Sequence, residues 1–126
     1  MYLLDTCAFI WYLEDSTRLS EWVCEILQGE DELYLSLASL WEIAIKKTIG
    51  KLDLSETTAD LIQICKEDSI EVLSIDAQYF DTIQIMPYIH GDPFDRLIMA
   101  TAIDNGLILL TDDDNIRKYT EVKQEW

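Results

Sequence analysis

Several residue types that support common catalytic chemistries are scarce in this sequence. It has one histidine, His90, so it has no second imidazole for a zinc site, and any Ser-His-Asp or Cys-His device would depend on that residue. Its four glycines are far apart and form no GxxxxGK[ST] or GxGxxG loop, which excludes a phosphate-binding loop. Three cysteines, none in a CxxC pair, argue against a disulfide framework and indicate reduced thiols.

Long hydrophobic runs and a surplus of basic residues are also missing. No apolar stretch reaches the roughly 20 residues that span a bilayer, and the N-terminus does not resemble a signal peptide, so we expect a cytoplasmic protein with no membrane segment. The formal net charge of −16 disfavours an extended nucleic-acid-binding face. Six of the nine basic residues fall in segments with candidate carboxylates, where they form either a local basic rim or solvated helix faces and caps: Lys46, Lys47, Lys51, Arg96, Arg117 and Lys118.

Apolar segments of strand length alternate with segments of helical period along all 126 residues. This alternation predicts one α/β domain over residues 1–126, with a parallel sheet covered by helices on both faces. Strands are expected at residues 2–4, 33–37, 71–75, 107–110 and near 121–123. Helices are expected at residues 9–13, 20–28, 39–49 and 93–105, after a cap at Ser55, from Asp76, and before the last strand. Asp92, Pro93 and Gly106 are typical of the two ends of the helix over 93–105.

Acidic residues occupy positions where a parallel sheet would place a site, beyond the carboxyl ends of its strands. Asp5 directly follows the first strand and either caps the next helix or faces the site. Glu42 lies among apolar residues of a helix, so it needs a metal ion or a partner such as Lys46.

Two further acidic segments come later in the chain. Asp92 is explained as a helix cap, whereas Asp95, one turn further on, can point toward the edge of the sheet. The run from Asp112 to Asp114 follows the apolar strand LILLT, and either a cation or a solvated turn accounts for it. Carboxylates clustered at one point need a cation to offset their repulsion, and all-oxygen ligands suit Mg²⁺ or Mn²⁺.

Four segments in order resemble the motifs of PIN-domain proteins, above all the VapC-type toxins of bacterial toxin–antitoxin pairs. They are LLDTCAFIW, SLASLWEIAIKKTIGKL, HGDPFDRLIMATA and LILLTDDDNIRKY. The resemblance covers nearly the whole chain, and it implies a three-layer α/β/α fold with a central parallel sheet of four or five strands. It also implies an Mg²⁺- or Mn²⁺-dependent endoribonuclease that forms a homodimer and is silenced by a cognate VapB-type antitoxin, whose tail covers the groove.

The resemblance places the family's acidic quartet on Asp5, Glu42, Asp95 and Asp113. It places the hydroxyls beside the metal ligands on Thr6 and Thr111. Cys7 departs from the family pattern, because many relatives have histidine there. The acidic residues on either side of Asp113 depart as well, so that Asp112 or Asp114 remains possible as a substitute ligand.

The expected reaction is hydrolysis of an RNA phosphodiester by a metal-activated water. Asp5, Asp95 and Asp113 would hold one or two ions, and Glu42 would be a ligand or orient the water. Lys46 or Arg96 would either steady the RNA backbone or form a structural ion pair. Two alternatives remain: a PIN-like interaction protein without catalysis, and a phosphatase with Asp5 as nucleophile. The phosphatase alternative conflicts with Cys7, which lies at the position where such phosphatases have a second aspartate.

Overall fold

A computed structural model describes all residues, 1–126, and shows five parallel strands with helices on both faces. The strands are β1 (Tyr2–Leu4), β2 (Leu33–Ser36), β3 (Ile70–Leu73), β4 (Ile108–Leu110) and β5 (Gln124–Glu125). The helices are α1 (Thr6–Glu14), α2 (Glu21–Gln28), α3 (Leu37–Thr48), α4 (Thr58–Glu67), α5 (Gln78–Ile85), α6 (Pro93–Asn105) and α7 (Asp114–Arg117). None of them is long and hydrophobic enough to span a membrane.

The order of the strands, β3-β2-β1-β4-β5, determines where the sheet offers a crevice. The chain builds outward from β1 to β2 and β3, and then returns to the other side of β1 with β4 and β5. Such a reversal opens a crevice beyond the carboxyl ends of the two strands that flank it. Leu4 pairs with Leu110, so the residues that follow β1 and β4 are neighbours at this crevice.

Alternating residues of the buried strands supply two hydrophobic cores, one on each face of the sheet. Leu4 and Leu110 belong to the core formed with α1 to α4. Leu3 and Leu109 point the other way, into the core formed with α5 to α7. The predicted α/β/α arrangement with a parallel sheet is therefore confirmed, and the sheet has five strands.

Two local predictions were wrong, and one short element was not predicted. The cap of α4 is Thr57 rather than Ser55, because Thr57 and Asp60 satisfy each other's backbone N–H groups in a capping box. The last strand is Gln124–Glu125 rather than residues 121–123, because Val122 turns into the core before pairing with β4 begins. A short 3-10 helix, Ser16–Arg18, was not expected.

The other boundaries differ by one to three residues. β3 covers Ile70–Leu73, and α3 begins at Leu37 directly after β2, because the side chain of Ser36 caps it. α6 begins and ends where predicted: Asp92 caps it, Pro93 is its first residue, and Gly106 ends it with a left-handed φ of 63°.

Candidate active site

Asp5 is both a helix cap and a member of the crevice at the end of β1. Its carboxylate accepts the backbone N–H of Ala8 at 2.7 Å, and the residue is 5% exposed. Burial, together with the charges of Asp113 and Glu42, raises its pKa to about 6, although the Thr111 hydroxyl and the Ala8 N–H act in the opposite direction. The two roles that the sequence left open are therefore compatible.

Glu42 has one oxygen in an ion pair and one without a partner. Oε2 lies 3.3 Å from Nζ of Lys46, one turn later in α3. Oε1 is buried and has no hydrogen-bond partner. Burying a carboxylate oxygen without a hydrogen-bond partner costs free energy of folding. The ion pair with Lys46 satisfies only one of the two oxygens of Glu42.

Asp95 lies in the first turn of α6 and contacts the only histidine of the chain. Its Oδ2 is 2.9 Å from Nε2 of His90. Burial raises the pKa of Asp95 to about 7; the contact with His90 opposes this rise, and the charges of Asp92, Asp113 and Glu42 add to it. His90 was not among the predicted site residues, although its place in HGDPFDR, five residues before Asp95, was a usable signal.

Asp113 differs from its two acidic neighbours because they form ion pairs and it does not. Asp112 and Asp114 both bind the guanidinium of Arg117. Asp113 forms no ion pair; its carboxylate caps α7 by accepting the N–H of Asn115 at 2.7 Å. The pairing with Arg117 favours Asp113 over its two neighbours as the acid that faces the crevice.

Buried hydroxyls connect the segments that carry these acids. The Thr111 hydroxyl accepts the N–H of Asp113 at 3.1 Å and lies near enough to the Asp5 carboxylate to lower its pKa, so it connects the ends of β1 and β4. Thr6 donates to Oγ of Ser39 at 3.0 Å and thereby ties α1 to α3. Ser39, which is fully buried, was not predicted from the sequence.

The four predicted acids lie near one another but are not in ligand contact. Asp113 and Glu42 raise the pKa of both Asp5 and Asp95, which places all four within electrostatic reach. The ligand atoms that lie within 4.8 Å of one another belong instead to His90, Asp92 and Asp95. No three members of the quartet bring their ligand atoms this close together.

Three of the six basic residues expected at the rim are held by other contacts, whereas Lys51 and Lys118 are exposed. Arg96 is 7% exposed, and its guanidinium donates to the carbonyls of Ile83 and Pro87, so it is not available to an RNA backbone and forms no ion pair either. Arg117 is held by two aspartates, and Nζ of Lys47 binds the carbonyl of Glu56. Lys46 remains at the site, beside Glu42 and partly exposed.

Cys7 lies at the site but is a poor nucleophile. Desolvation, followed by the charge of Asp5, raises the pKa of its thiol to about 11. The positive charge of Lys46 acts in the opposite direction but is outweighed. The raised pKa favours the protonated thiol, which is a weaker nucleophile than the thiolate.

An apolar groove of about 410 Å³ includes residues that directly precede two of the acids in sequence. Trp41 and Phe94, the residues before Glu42 and Asp95, pack edge to face in it with their ring centroids 5.0 Å apart. The residues that line it are Trp41, Phe80, Ile83, Tyr88, Gly91, Pro93, Phe94, Arg96 and Leu97. None of the four acids lines the groove.

Comparison with known proteins gives matches over nearly the whole chain. The family model described as PIN domain matches residues 2–122. Ribonuclease VapC22 of Mycobacterium tuberculosis is 30% identical over 118 residues, which cover 93% of this chain and 90% of that protein.

Two solved structures illustrate the similarity of fold. One is the crystal structure of VapBC2 from Rickettsia felis bound to a DNA fragment from their promoter, with a TM-score of 0.73, 16% identity and coverage of 98% of this chain and 96% of that one. The other is the crystal structure of FitAcB from Neisseria gonorrhoeae, with a TM-score of 0.66, 20% identity and the same coverage. At these identities the likeness concerns the fold.

Proposed function

Because this chain belongs to the PIN-domain family, we propose that it is a metal-dependent endoribonuclease, the toxin of a toxin–antitoxin pair. The observation that carries the proposal is the buried, unpartnered Oε1 of Glu42 in a crevice shared with Asp5, Asp95 and Asp113. The ribonuclease name of the relative that is 30% identical supports the choice of RNA as substrate.

The donor set fits a hard divalent cation, with Mg²⁺ or Mn²⁺ as our proposal. Its atoms are all carboxylate oxygens, and the raised pKa values of Asp5 and Asp95 indicate negative charge that a cation would offset. Asp5, Asp95 and Asp113 would hold the ion. When bound, it supplies an acidified water and neutralises charge that develops on the phosphate.

The remaining residues of the site orient the reacting groups. Glu42 has a free acceptor at Oε1, so it either adds a ligand or accepts a proton from the attacking water. Thr111 fixes the Asp5 carboxylate, and Lys46 places a positive charge beside Glu42. Lys46 is therefore the cation that we assign to the RNA backbone, in place of Arg96.

The test compares neighbouring acidic residues of the same chain. Asp5→Asn and Asp113→Asn should lower RNA cleavage with Mg²⁺ or Mn²⁺ by about 100-fold or more, as expected for loss of an electrostatic stabiliser of the transition state. Asp112→Asn and Asp114→Asn are the matched controls and should cleave as the wild type does. Wild-type rates in folded Asp5→Asn would contradict the assignment.

The partner that we propose is an antitoxin of the VapB type, seated in the apolar groove. The groove has an aromatic lining that suits a peptide with apolar side chains, and its Trp41 and Phe94 directly precede Glu42 and Asp95 in sequence. Growth arrest by the wild type, but not by Asp5→Asn at equal abundance, would indicate a toxic nuclease. Tight partner binding without cleavage under any metal would instead favour an interaction protein.

The chain is also proposed to form a homodimer. Exposed apolar side chains remain outside the groove, among them Ile45, Ile49 and Ile85, and they offer surface to a second copy. Sedimentation equilibrium of the chain alone measures this, and a monomer at micromolar concentration would contradict it.

A further inference from the structure

The segment that joins α5 to α6 has no regular secondary structure and is held by two buried side chains. Arg96 of α6 donates through Nη2 to the carbonyl of Ile83 at 2.8 Å and through Nη1 to the carbonyl of Pro87 at 3.1 Å. Its guanidinium also lies 5.1 Å from the ring centroid of Tyr88. A planar guanidinium with several fixed donors is suited to holding several carbonyls in one arrangement.

The second side chain is Tyr119, which is 1% exposed. Its hydroxyl accepts the backbone N–H groups of Ile89 at 3.1 Å and His90 at 2.9 Å, and also Nη1 of Arg96 at 3.1 Å. Arg96 and Tyr119 thus meet at one oxygen, and this junction fixes the backbone at His90. We refer to these two residues as the Arg96–Tyr119 clamp.

The side chain of His90, whose backbone the clamp holds, contacts the candidate site. Nε2 of His90 is 2.9 Å from Oδ2 of Asp95, whose own N–H is held by Asp92 at 2.9 Å. A partner that donates to one carboxylate oxygen fixes the plane of the carboxylate and directs the other oxygen. The position of His90 therefore sets the direction in which Asp95 presents its second oxygen.

We propose that Arg96 and Tyr119 are positioning residues, which hold His90 so that it orients the Asp95 carboxylate toward a divalent cation. This inference rests on the proposed metal-dependent function. Residues that orient ligands from outside the coordination shell typically change metal affinity 10- to 100-fold when they are mutated. The clamp therefore acts on metal affinity through one histidine.

The experiment uses Tyr119→Phe, with Tyr79→Phe as its matched control. Both tyrosines are buried in the same core, and both changes remove one hydroxyl, but that of Tyr79 accepts only from Asn105. Tyr119→Phe should weaken Mn²⁺ binding to the untagged protein by about 10-fold, measured by electron paramagnetic resonance, and Tyr79→Phe should not. Arg96→Lys keeps the charge but loses the fork, and should show the same loss.

Two further readouts separate positioning from general stability. His90→Ala should weaken Mn²⁺ binding as well, and adding Tyr119→Phe to it should cause no further loss, since both act through one path. The single histidine also gives unambiguous ¹⁵N signals, which should show the proton on Nε2 in the metal-free wild type and a changed environment in Tyr119→Phe.

Three results would overturn the clamp: wild-type Mn²⁺ affinity in folded Tyr119→Phe, additive losses in the double variant, or a proton on Nδ1 alone. These outcomes are distinct from failure of the proposed function. A wild type that binds Mn²⁺ and leaves RNA intact would contradict the nuclease and leave the clamp standing.

Discussion

Asp5 illustrates how one side chain serves the fold and the site together. Its carboxylate satisfies a helix N-terminus, which favours the ionised form, yet burial and two neighbouring acids disfavour that form more strongly. The folded protein therefore holds a proton on Asp5 up to a pH of about 6, whereas the unfolded chain loses it near 3.8. The raised pKa of Asp5 therefore stabilises the folded protein. This stabilisation is complete below the pKa of Asp5 in the unfolded chain and is lost as the pH rises through its pKa in the folded protein.

Lowering the pH from 8 to 5 without divalent ions should therefore stabilise the wild type relative to Asp5→Asn. The expected gain is about 1 kcal/mol in the free energy of unfolding, since asparagine caps the helix equally well but does not titrate. Urea unfolding in EDTA at a series of pH values measures the difference, in which contributions from other groups cancel. Parallel pH profiles for the two proteins would show that Asp5 titrates normally.

The individual acids were predictable from the sequence, but their partners were not. Asp5 follows an apolar strand and Glu42 stands out among apolar neighbours, so local pattern selects both as candidates. The choice of Asp113 within the run from Asp112 to Asp114 came from the family resemblance. The contact between His90 and Asp95, and the burial of Arg96, depend on the path of an irregular segment that Tyr119 fixes from 29 residues away. Nothing in the local sequence around Arg96 distinguishes a buried guanidinium from a solvent-exposed one.

At the scale of elements, helix ends followed their capping residues closely. The sequence marks both ends of α6 with an aspartate cap, a proline at the first position and a terminal glycine. The start of α4 is marked by Thr57 and Asp60, with the cap two residues beyond the predicted Ser55. Ser55 has threonine three residues later and cannot form the reciprocal pair. β5 was displaced because a two-residue strand has no periodicity of its own, and pairing with β4 alone defines it.

The cap of α4 gives a prediction with a built-in control. Thr57→Ala should lower the free energy of unfolding by about 1 kcal/mol, because it removes the oxygen that accepts the Asp60 N–H. Ser55→Ala, an exposed change two residues away, should stay within about 0.5 kcal/mol of the wild type. Chemical denaturation measures both, and equal effects would contradict the capping box.

At the scale of the whole molecule, β1 joins two cores that lie on opposite faces of one sheet. Leu3 and Leu4 are both fully buried, and each belongs to a different core. We propose that the chain nevertheless unfolds as one domain, because neither core is complete without the sheet. β1 and β4 are far apart in sequence, and their direct pairing also links the two ends of the chain.

Leu3→Ala and Leu4→Ala test this unity. Each should destabilise the protein by about 2–5 kcal/mol, the range for truncating a buried leucine, and both should shift the same single transition. Calorimetry, and denaturation followed by two different probes, measure the number of unfolding transitions and the shift of each. Two separate transitions, each moved by only one of the variants, would divide the molecule into independent units.

The order of the strands also has a consequence for a chain during its synthesis. Asp5 emerges from the ribosome early, but its neighbour Thr111 and the acid at position 113 follow β4, which comes after α6 in the chain and pairs with β1. A nascent or truncated chain therefore holds its acids apart. The crevice is complete only when translation has passed Asp113, which leaves a cell a defined interval in which to prepare for the finished protein.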